Sequence, residues 1–299
     1  MTQQIQTKFL AFSHSKSHNG LPGLAIETPD GFFGLTKSDQ AYPGDLIDLI
    51  KAGPTALSDA ASALRQGQHI DLSAVTILPP IQHPGKIICI GLNYVDHSEE
   101  SGFVTPDYPT VFTRFSSSLI GQGAPLIRPQ ASTQFDFEGE LVAIIGQSAR
   151  YVSVENALDH VAGYSIFNDG SIRDFQFKTP QWTVGKNFDG TGAFGPVFVT
   201  ADSLPPGCTG MTLQTRLNGK IVQSAPIDDM VFPVAELIST LSEVMTLEPG
   251  DVIVTGTPAG VGFARKPPLY MRDGDICEIE IDGIGCLRNP VQDEELAYV

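Results

Sequence analysis

Three carboxylates that alternate along one short segment are the most chemically suggestive feature of the sequence. Residues 135–145 read FDFEGELVAII, in which one residue separates Asp136 from Glu138 and Glu138 from Glu140. In an extended strand these side chains lie on one face. Burying them together is unfavourable unless a cation compensates their charge. Oxygen ligands favour Mg²⁺, Mn²⁺ or Ca²⁺ over zinc. The segment therefore indicates a divalent-metal site, with a solvated strand face as the alternative.

A fourth carboxylate follows an apolar segment farther along the chain. Asp169 comes directly after residues 162–168, which we predict to be a strand, and it precedes Gly170. A carboxylate at a strand end is well placed to complete a metal site begun by Glu138 and Glu140. The alternative is that Asp169 caps the turn at Gly170. The nearby alternating acids favour the metal-ligand interpretation.

A histidine and a glutamate form the second pair with catalytic potential. His97 and Glu100 are three residues apart, so on a helical turn they share a face. A carboxylate beside an imidazole orients it and raises its basicity. The small, polar surroundings suit a mobile lid. The alternative is an exposed His–Glu pair without a role.

Cations are scarce, so each one near these acids gains significance. The chain has 18 Lys and Arg residues against 34 Asp and Glu residues. Arg114 and Lys186 are candidate binders of an anionic substrate; the alternatives are a structural salt bridge for Arg114 and a solvated loop charge for Lys186. Gly256 and Thr257 offer backbone N–H groups and a hydroxyl to an anionic oxygen.

The composition restricts the protein class. A chain of 299 residues with 41% hydrophobic and 17% charged residues predicts a globular protein. The net charge of −16 argues against nucleic acid or an anionic membrane as a partner. The N-terminus lacks signal-peptide features, and the four cysteines show no zinc-ligand spacing. We therefore expect a cytoplasmic protein with reduced thiols.

A proline-rich segment divides the chain. Residues 78–85 read LPPIQHPG, which disfavours regular structure. We place a small N-terminal α+β domain at residues 1–82 and the catalytic domain at residues 83–299. The second domain is predicted to be mostly strands, with hairpins at Asn218-Gly219 and Asp282-Gly283. Residues 182–196 are rich in glycine and are predicted to be a functional loop.

The motifs together resemble one family. In chain order, the first motifs are GLNY at 91–94 with the His–Glu pair, and DFEGEL at 136–141. An Asn-Asp pair follows at 168–169, then Arg-Asp at 173–174 with Gln176, Gly-Lys at 185–186, and GTPAGVG at 256–262. This order resembles the fumarylacetoacetate hydrolase family over about residues 85–290. The resemblance implies a mixed β-sandwich or β-roll core, usually dimeric. It also implies that Glu138, Glu140 and Asp169 hold Mg²⁺ or Mn²⁺, with Ca²⁺ as an alternative in the isolated protein.

The resemblance further assigns roles around the metal. It implies that His97 and Glu100 activate water from a lid. Lys186 and Gln176 would contact the substrate or its developing charge, and Thr257 would meet a substrate carboxylate or carbonyl. Many members have Lys where this chain has Arg114, which changes the reach and hydrogen-bonding geometry of the cation.

The predicted reaction is metal-dependent C–C bond hydrolysis. The substrate would be a small anionic 2,4-dioxo acid, cleaved through an enolate to pyruvate and a carboxylic acid. The alternatives are an oxaloacetate-type decarboxylase, or an isomerase or hydratase of a 2-oxo acid, because the family contains all of these activities. A non-catalytic, metal-stabilised dimer is a further alternative, which the His–Glu pair and Lys186 disfavour.

Overall fold

The fold is built mainly from β-strands. A computed structural model describes residues 6–14, 20–102, 104 and 106–295. The strands are β1 (Lys8–Ser13), β2 (Pro22–Thr28), β3 (Gly31–Thr36), β4 (Gln68–His69), β5 (Thr76–Ile77), β6 (Ile87–Gly91), β7 (Thr110–Thr113), β8 (Leu119–Ile120), β9 (Leu126–Arg128), β10 (Phe135–Asp136), β11 (Gly139–Ile145), β12 (Val161–Asp169), β13 (Ser171–Ile172), β14 (Gly192–Thr200), β15 (Thr212–Leu217), β16 (Lys220–Pro226), β17 (Val252–Val254), β18 (Ile276–Ile281) and β19 (Gly285–Asp293). The helices are α1 (Leu46–Ala52), α2 (Pro54–Leu64), α3 (Val95–Glu100), α4 (Val154–Ala157), α5 (Arg173–Gln176), α6 (Thr183–Lys186) and α7 (Val234–Val244). This confirms the predicted α+β, β-rich class.

Two sheets carry the architecture. The larger has the order β4-β3-β2-β1-β14-β12-β11-β17-β6-β7, with β5 paired to β1 and β8 paired to β14. The smaller has the order β16-β15-β18-β19-β9, and β10 and β13 form a separate two-stranded ribbon. Most pairs in the larger sheet are antiparallel, whereas β17 and β6 run parallel. None of the described helices is both long and apolar enough to cross a membrane.

Strand β11 explains how the layers stack. Alternate residues of this strand belong to two different core clusters: Leu141 and Ala143 face one, and Val142 and Ile144 face the other. The first cluster includes buried residues of β15 and β18 from the smaller sheet. The second includes the apolar residues of α1 and α2. A strand that is covered on both faces requires a continuous apolar run, which is what its sequence shows.

The larger sheet continues across the predicted domain boundary. Strand β1 pairs with β14, and Phe9 lies opposite Phe198. The proline-rich residues 78–85 contain neither helix nor strand and connect β5 to β6. The division at residues 82 and 83 stays a prediction, although strands from both sides of it share one sheet.

The acidic segment is not the single strand that was predicted. Strand β10 ends at Asp136 and pairs with β13, whereas β11 begins at Gly139 and pairs with β12. Between the two strands, the Glu138 amide donates to the side chain of Asn168 at 3.1 Å. Asp136, Glu138 and Glu140 therefore do not share one strand face, because the chain changes its pairing partner between them.

The predicted loop at residues 182–196 is irregular only in part, at residues 182 and 187–191. This stretch contains α6 and the first half of β14, which is buried in the middle of the larger sheet. A Cβ atom at Gly192 would lie 2.9 to 3.0 Å from the Arg114 guanidinium. Glycine therefore provides a close approach here rather than loop flexibility. The predicted hairpin at Asn218-Gly219 is confirmed, and both residues have the positive φ angles, 53° and 76°, of a tight turn.

Candidate functional site

Three carboxylates from adjacent strands converge on one point. Glu138 and Glu140 flank the start of β11, and Asp169 ends β12, whose Asn168 lies opposite Gly139. One oxygen from each of the three acids lies within 4.8 Å of the others, and all three residues are buried. Strand pairing thus brings together side chains that are about thirty residues apart. We call Glu138, Glu140 and Asp169 the carboxylate triad.

The charges in the triad favour a bound cation. Burial and the neighbouring charges of Asp169 and Glu138 raise the pKa of Glu140 well above its ordinary value. Burial acts in the same direction on Glu138, but Arg173 and Lys186 outweigh it and hold the pKa of Glu138 below its usual range. Three buried carboxylate groups whose oxygens converge on one point fit a hard divalent ion such as Mg²⁺ or Mn²⁺. The triad would hold such an ion.

Lys186 and Arg173 are two of the cations that contact the triad. Lys186 Nζ is 2.5 Å from Glu138 Oε2 and 2.6 Å from Asp169 Oδ2. Burial opposes the charge of Lys186, but Asp169 and Glu138 outweigh it and raise the lysine pKa. Arg173 Nη2 lies 2.6 Å from Glu138 Oε1, and Arg173 Nε lies 2.8 Å from Asp136 Oδ2. Lysine and arginine therefore offset part of the negative charge.

The predicted acid–base pair faces the same place. His97 lies on α3 with its Nδ1 atom 3.1 Å from Glu100 Oε1, and only 6% of the histidine is exposed. Glu100 Oε1 also accepts the Gly260 amide at 2.8 Å. This carboxylate therefore both orients the imidazole and holds α3 on the loop at residues 256–262. The predicted lid extended to Val104; Phe103 lies outside the described residues.

A small cavity connects these groups. The space between them amounts to about 370 Å³, part of which is open to solvent. The imidazole and the triad's two glutamates share its wall with two cations and an aromatic surface. Its lining residues are Ile90, Gly91, Leu92, His97, Ser101, Phe112, Glu138, Glu140, Arg173, Gln176, Phe177, Trp182, Lys186, Thr257 and Phe263.

The remaining predicted substrate contacts already have partners in the protein. Gln176 lines the cavity and accepts from Arg173 Nη1 at 2.8 Å. The Gly256 amide donates to Glu140 Oε2. Thr257 lines the cavity, and its hydroxyl donates to the carbonyl of Gly139 at 2.9 Å. Gly256 and Thr257 therefore fix the segment that carries the triad, in addition to any contact with a substrate.

Arg114 lies behind the triad rather than in the cavity. Its side chain is 0% exposed and its Nη1 atom lies 2.5 Å from Asp169 Oδ1. The guanidinium also donates to the carbonyl of Gly170 and to the hydroxyls of Ser118 and Thr191. These contacts favour the salt-bridge alternative, and the contact of Arg114 with a substrate stays a prediction. The buried arginine holds Asp169 in place.

Arg173 and Trp182 are two of the cavity residues that were not identified as site residues from the sequence. Arg173 is 2% exposed and joins Asp136 to the triad. The buried acids need a counter-ion, and few cations are available in this sequence. That need could have suggested Arg173 as a site residue. Trp182 forms part of the aromatic wall and contacts the ring of Phe112. It is the single tryptophan of the chain, but no spacing pattern in the sequence points to its place in the cavity.

Comparisons with known proteins identify the family. Residues 86–292 match the family model described as "Fumarylacetoacetate (FAA) hydrolase C-terminal". The chain is 39% identical over 290 residues to oxaloacetate tautomerase fahd2, mitochondrial, from Xenopus laevis, with 96% of this chain and 91% of that protein covered. It is 36% identical, with a TM-score of 0.79, to a fumarylacetoacetate hydrolase from Exiguobacterium antarcticum, over 96% of this chain and 100% of that one. It is 30% identical, with a TM-score of 0.72, to 5-carboxymethyl-2-hydroxymuconate delta-isomerase from Mycobacterium smegmatis, over 97% of this chain and 100% of that one. The chain therefore belongs to the fumarylacetoacetate hydrolase family.

Proposed function

We propose that this chain catalyses keto–enol interconversion of a small 2-oxo dicarboxylic acid of the oxaloacetate type. The observation that carries the proposal is that His97, which Glu100 orients, and the two glutamates of the triad line one small cavity. The similarity to a protein named oxaloacetate tautomerase, which extends over nearly the whole of both chains, supports this reaction. Tautomerisation was among the alternatives that the sequence left open.

The reaction requires one proton to move from C3 to the 2-oxo oxygen, with no atom gained or lost overall. His97, with Nδ1 held by Glu100, accepts the C3 proton at Nε2. A divalent metal in the triad would polarise the 2-oxo group and stabilise negative charge on its oxygen. Lys186, whose ammonium group contacts Glu138 and Asp169, would donate its remaining N–H to that oxygen. The proton then returns from the imidazole to the oxygen.

Hydrolysis of an acylpyruvate is the second candidate. It would use the same imidazole to deprotonate the water that attacks the C4 carbonyl, and it would release pyruvate and a carboxylic acid. The aromatic wall of Phe112, Phe177, Trp182 and Phe263 favours it, because this surface could cover an apolar acyl group. The hydrolase prediction made from the sequence therefore stays a prediction.

The test compares the reactions on one preparation. Conversion of enol-oxaloacetate is followed by the loss of enol absorbance, and pyruvate release is measured from acylpyruvates and oxaloacetate, with Mg²⁺, Mn²⁺ or a chelator. We expect metal-dependent tautomerisation, which His97→Ala lowers by about 10²–10⁴-fold. His160→Ala, outside the cavity lining, is the matched control. Tautomerisation that is unchanged in His97→Ala while acylpyruvate cleavage collapses would favour the hydrolase.

We further propose that the protein is a homodimer, as the family resemblance implies. Analytical ultracentrifugation of the purified chain measures this; a monomer at micromolar concentration would contradict it. The cytoplasmic location stays a prediction, because the relative from Xenopus laevis is named as mitochondrial.

A further inference from the structure

The segment between the two glutamates of the triad rests on the smaller sheet. Thr215 of β15 and Gln223 of β16 are cross-strand partners in one hairpin, and both contact or approach Gly139. A Cβ atom at Gly139 would lie 2.2 Å from the Thr215 hydroxyl oxygen. The backbone between Glu138 and Glu140 can therefore approach this hairpin only because residue 139 has no side chain.

Gln223 closes a cycle of hydrogen bonds around this segment. The Gly139 amide donates to Gln223 Oε1 at 3.0 Å. Gln223 Nε2 donates to the Thr257 hydroxyl and to the carbonyl of Pro258, both at 2.8 Å. The Thr257 hydroxyl in turn donates back to the carbonyl of Gly139 at 2.9 Å. One side chain thus joins the peptide unit beside two triad residues to the loop that forms the cavity wall.

Burial alone does not explain this arrangement, since buried amides form hydrogen bonds wherever they occur. Asn289 of β19, in the same smaller sheet, is also 2% exposed, and its Nδ2 donates to the carbonyls of Gly121 and Ala124 at 2.9 and 2.8 Å. The amides of Gln223 and Asn289 differ in what they join. Only the partners of Gln223 include a neighbour of the triad and a residue of the cavity.

We propose that Gln223 is a positioning residue that fixes the two glutamates of the triad relative to Thr257. It sets the distance between the site for the metal and the site for the substrate anion, although it does not line the cavity itself. The inference rests on the proposed metal site in the triad. Loss of this side chain should therefore weaken the binding of a metal and of an anion together, with a smaller effect on folding.

The test measures binding rather than turnover. Gln223→Met keeps a side chain of similar length and removes both the acceptor and the donors. We expect the Kd for Mg²⁺, measured by calorimetry on the whole chain, to rise by about 10- to 100-fold, the range typical of groups that support metal ligands. The Kd for oxalate at saturating Mg²⁺ should rise in parallel. Asn289→Leu is the matched control, and we expect it to lower Tm while leaving both Kd values within twofold of wild type.

The outcomes separate this inference from the metal site on which it rests. If the wild-type protein binds neither Mg²⁺ nor Mn²⁺, the metal site and this inference both fail. If wild type binds Mg²⁺ and folded Gln223→Met binds it equally well, only the positioning role is overturned. Should Gln223→Met not fold, Gln223→Glu, which keeps the acceptor for Gly139, is measured instead. Unfolding of both variants beside a folded Asn289→Leu would overturn the inference, because Gln223 would then serve the fold itself.

Discussion

Two buried carboxylates of the same acidic segment, Asp136 and Glu140, have opposite surroundings. Asp136 accepts the amides of Gly262 and Phe263 at 2.7 and 2.9 Å and lies 2.8 Å from Arg173 Nε. Glu140 accepts the amide of Gly256 but faces two other acids of the triad. Both side chains are almost completely inaccessible to solvent, so burial does not distinguish them.

Their neighbours do distinguish them. Burial raises the pKa of both acids, but the charge of Arg173 opposes this effect at Asp136. At Glu140 the charges of Asp169 and Glu138 add to it. A carboxylate with a counter-ion from its own chain stabilises the fold, whereas one that faces other carboxylates requires a cation from outside. The comparison separates an acid with a counter-ion inside the fold from a candidate metal ligand four residues away.

Replacing Glu140 should have the largest effect on activity. Glu140→Gln keeps the size of the side chain and removes one ligand charge, so we expect metal-dependent turnover to be abolished. The Tm of the metal-free protein should stay the same or rise, because repulsion from Glu138 and Asp169 is relieved. Kinetics across a range of Mg²⁺ concentrations, together with calorimetric unfolding, measure both effects. Near-wild-type turnover at limiting Mg²⁺ would remove Glu140 from the metal site.

Replacing Asp136 should have the largest effect on stability. Asp136→Asn leaves the buried guanidinium of Arg173 with Glu138 as a charged partner. We therefore expect the free energy of unfolding to fall, by less than the ~3–5 kcal/mol that a fully unpaired buried charge costs. Urea unfolding in the presence of a chelator measures this loss without any contribution from metal. If Asp136→Asn were fully stable but unable to bind Mg²⁺, the roles assigned to Asp136 and Glu140 would have to be exchanged.

Replacing Arg114 should weaken metal binding from behind the site. Arg114→Met removes the partner that holds Asp169, so the Kd for Mg²⁺ should rise by about 10- to 100-fold. The KM for substrate at saturating metal should change little, because Arg114 does not line the cavity. Calorimetry and steady-state kinetics on the same preparation separate the two quantities. A higher KM with unchanged metal affinity would restore the hypothesis of direct substrate contact.

The smallest effect is a pH dependence of the metal-free protein. Glu140 has its pKa raised above the ordinary value of 4.5 in the folded state, so the folded state binds its proton more tightly than the unfolded state. The resulting stability is fully present below about pH 4.5 and is lost as pH rises through the folded pKa. The free energy of unfolding of wild type minus that of Glu140→Gln, both measured with a chelator, should therefore fall as pH rises. If the two curves of unfolding free energy against pH ran parallel, the pKa of Glu140 would not be raised in the folded protein.

The sequence predicted the ligands better than the backbone that carries them. Alternating acids and a further acid at a strand end pointed to Glu138, Glu140 and Asp169, and the family resemblance set these three apart from Asp136. The break after Asp136 could not be predicted, because it depends on pairing with β13, a strand about thirty-five residues away. Gly192 was misread for a related reason: glycine signals either flexibility or close approach, and only the position of Arg114 decides between them. The sequence showed that Arg114 is a cation near the acids, but it did not show on which side of the site the side chain lies.

The pairing of β1 with β14 implies that the catalytic part of the chain depends on the N-terminal residues. Every residue of the triad and the cavity lies within residues 86–292, the portion that matches the family model. A fragment starting at residue 83 would lack β1. The backbone N–H and C=O groups of β14 at Phe198 and Val199 would then have no strand to pair with. Such an open edge is a template for association with other chains. We therefore expect a fragment that starts at residue 83 to keep the residues of the triad and the cavity but to associate with other chains through this edge.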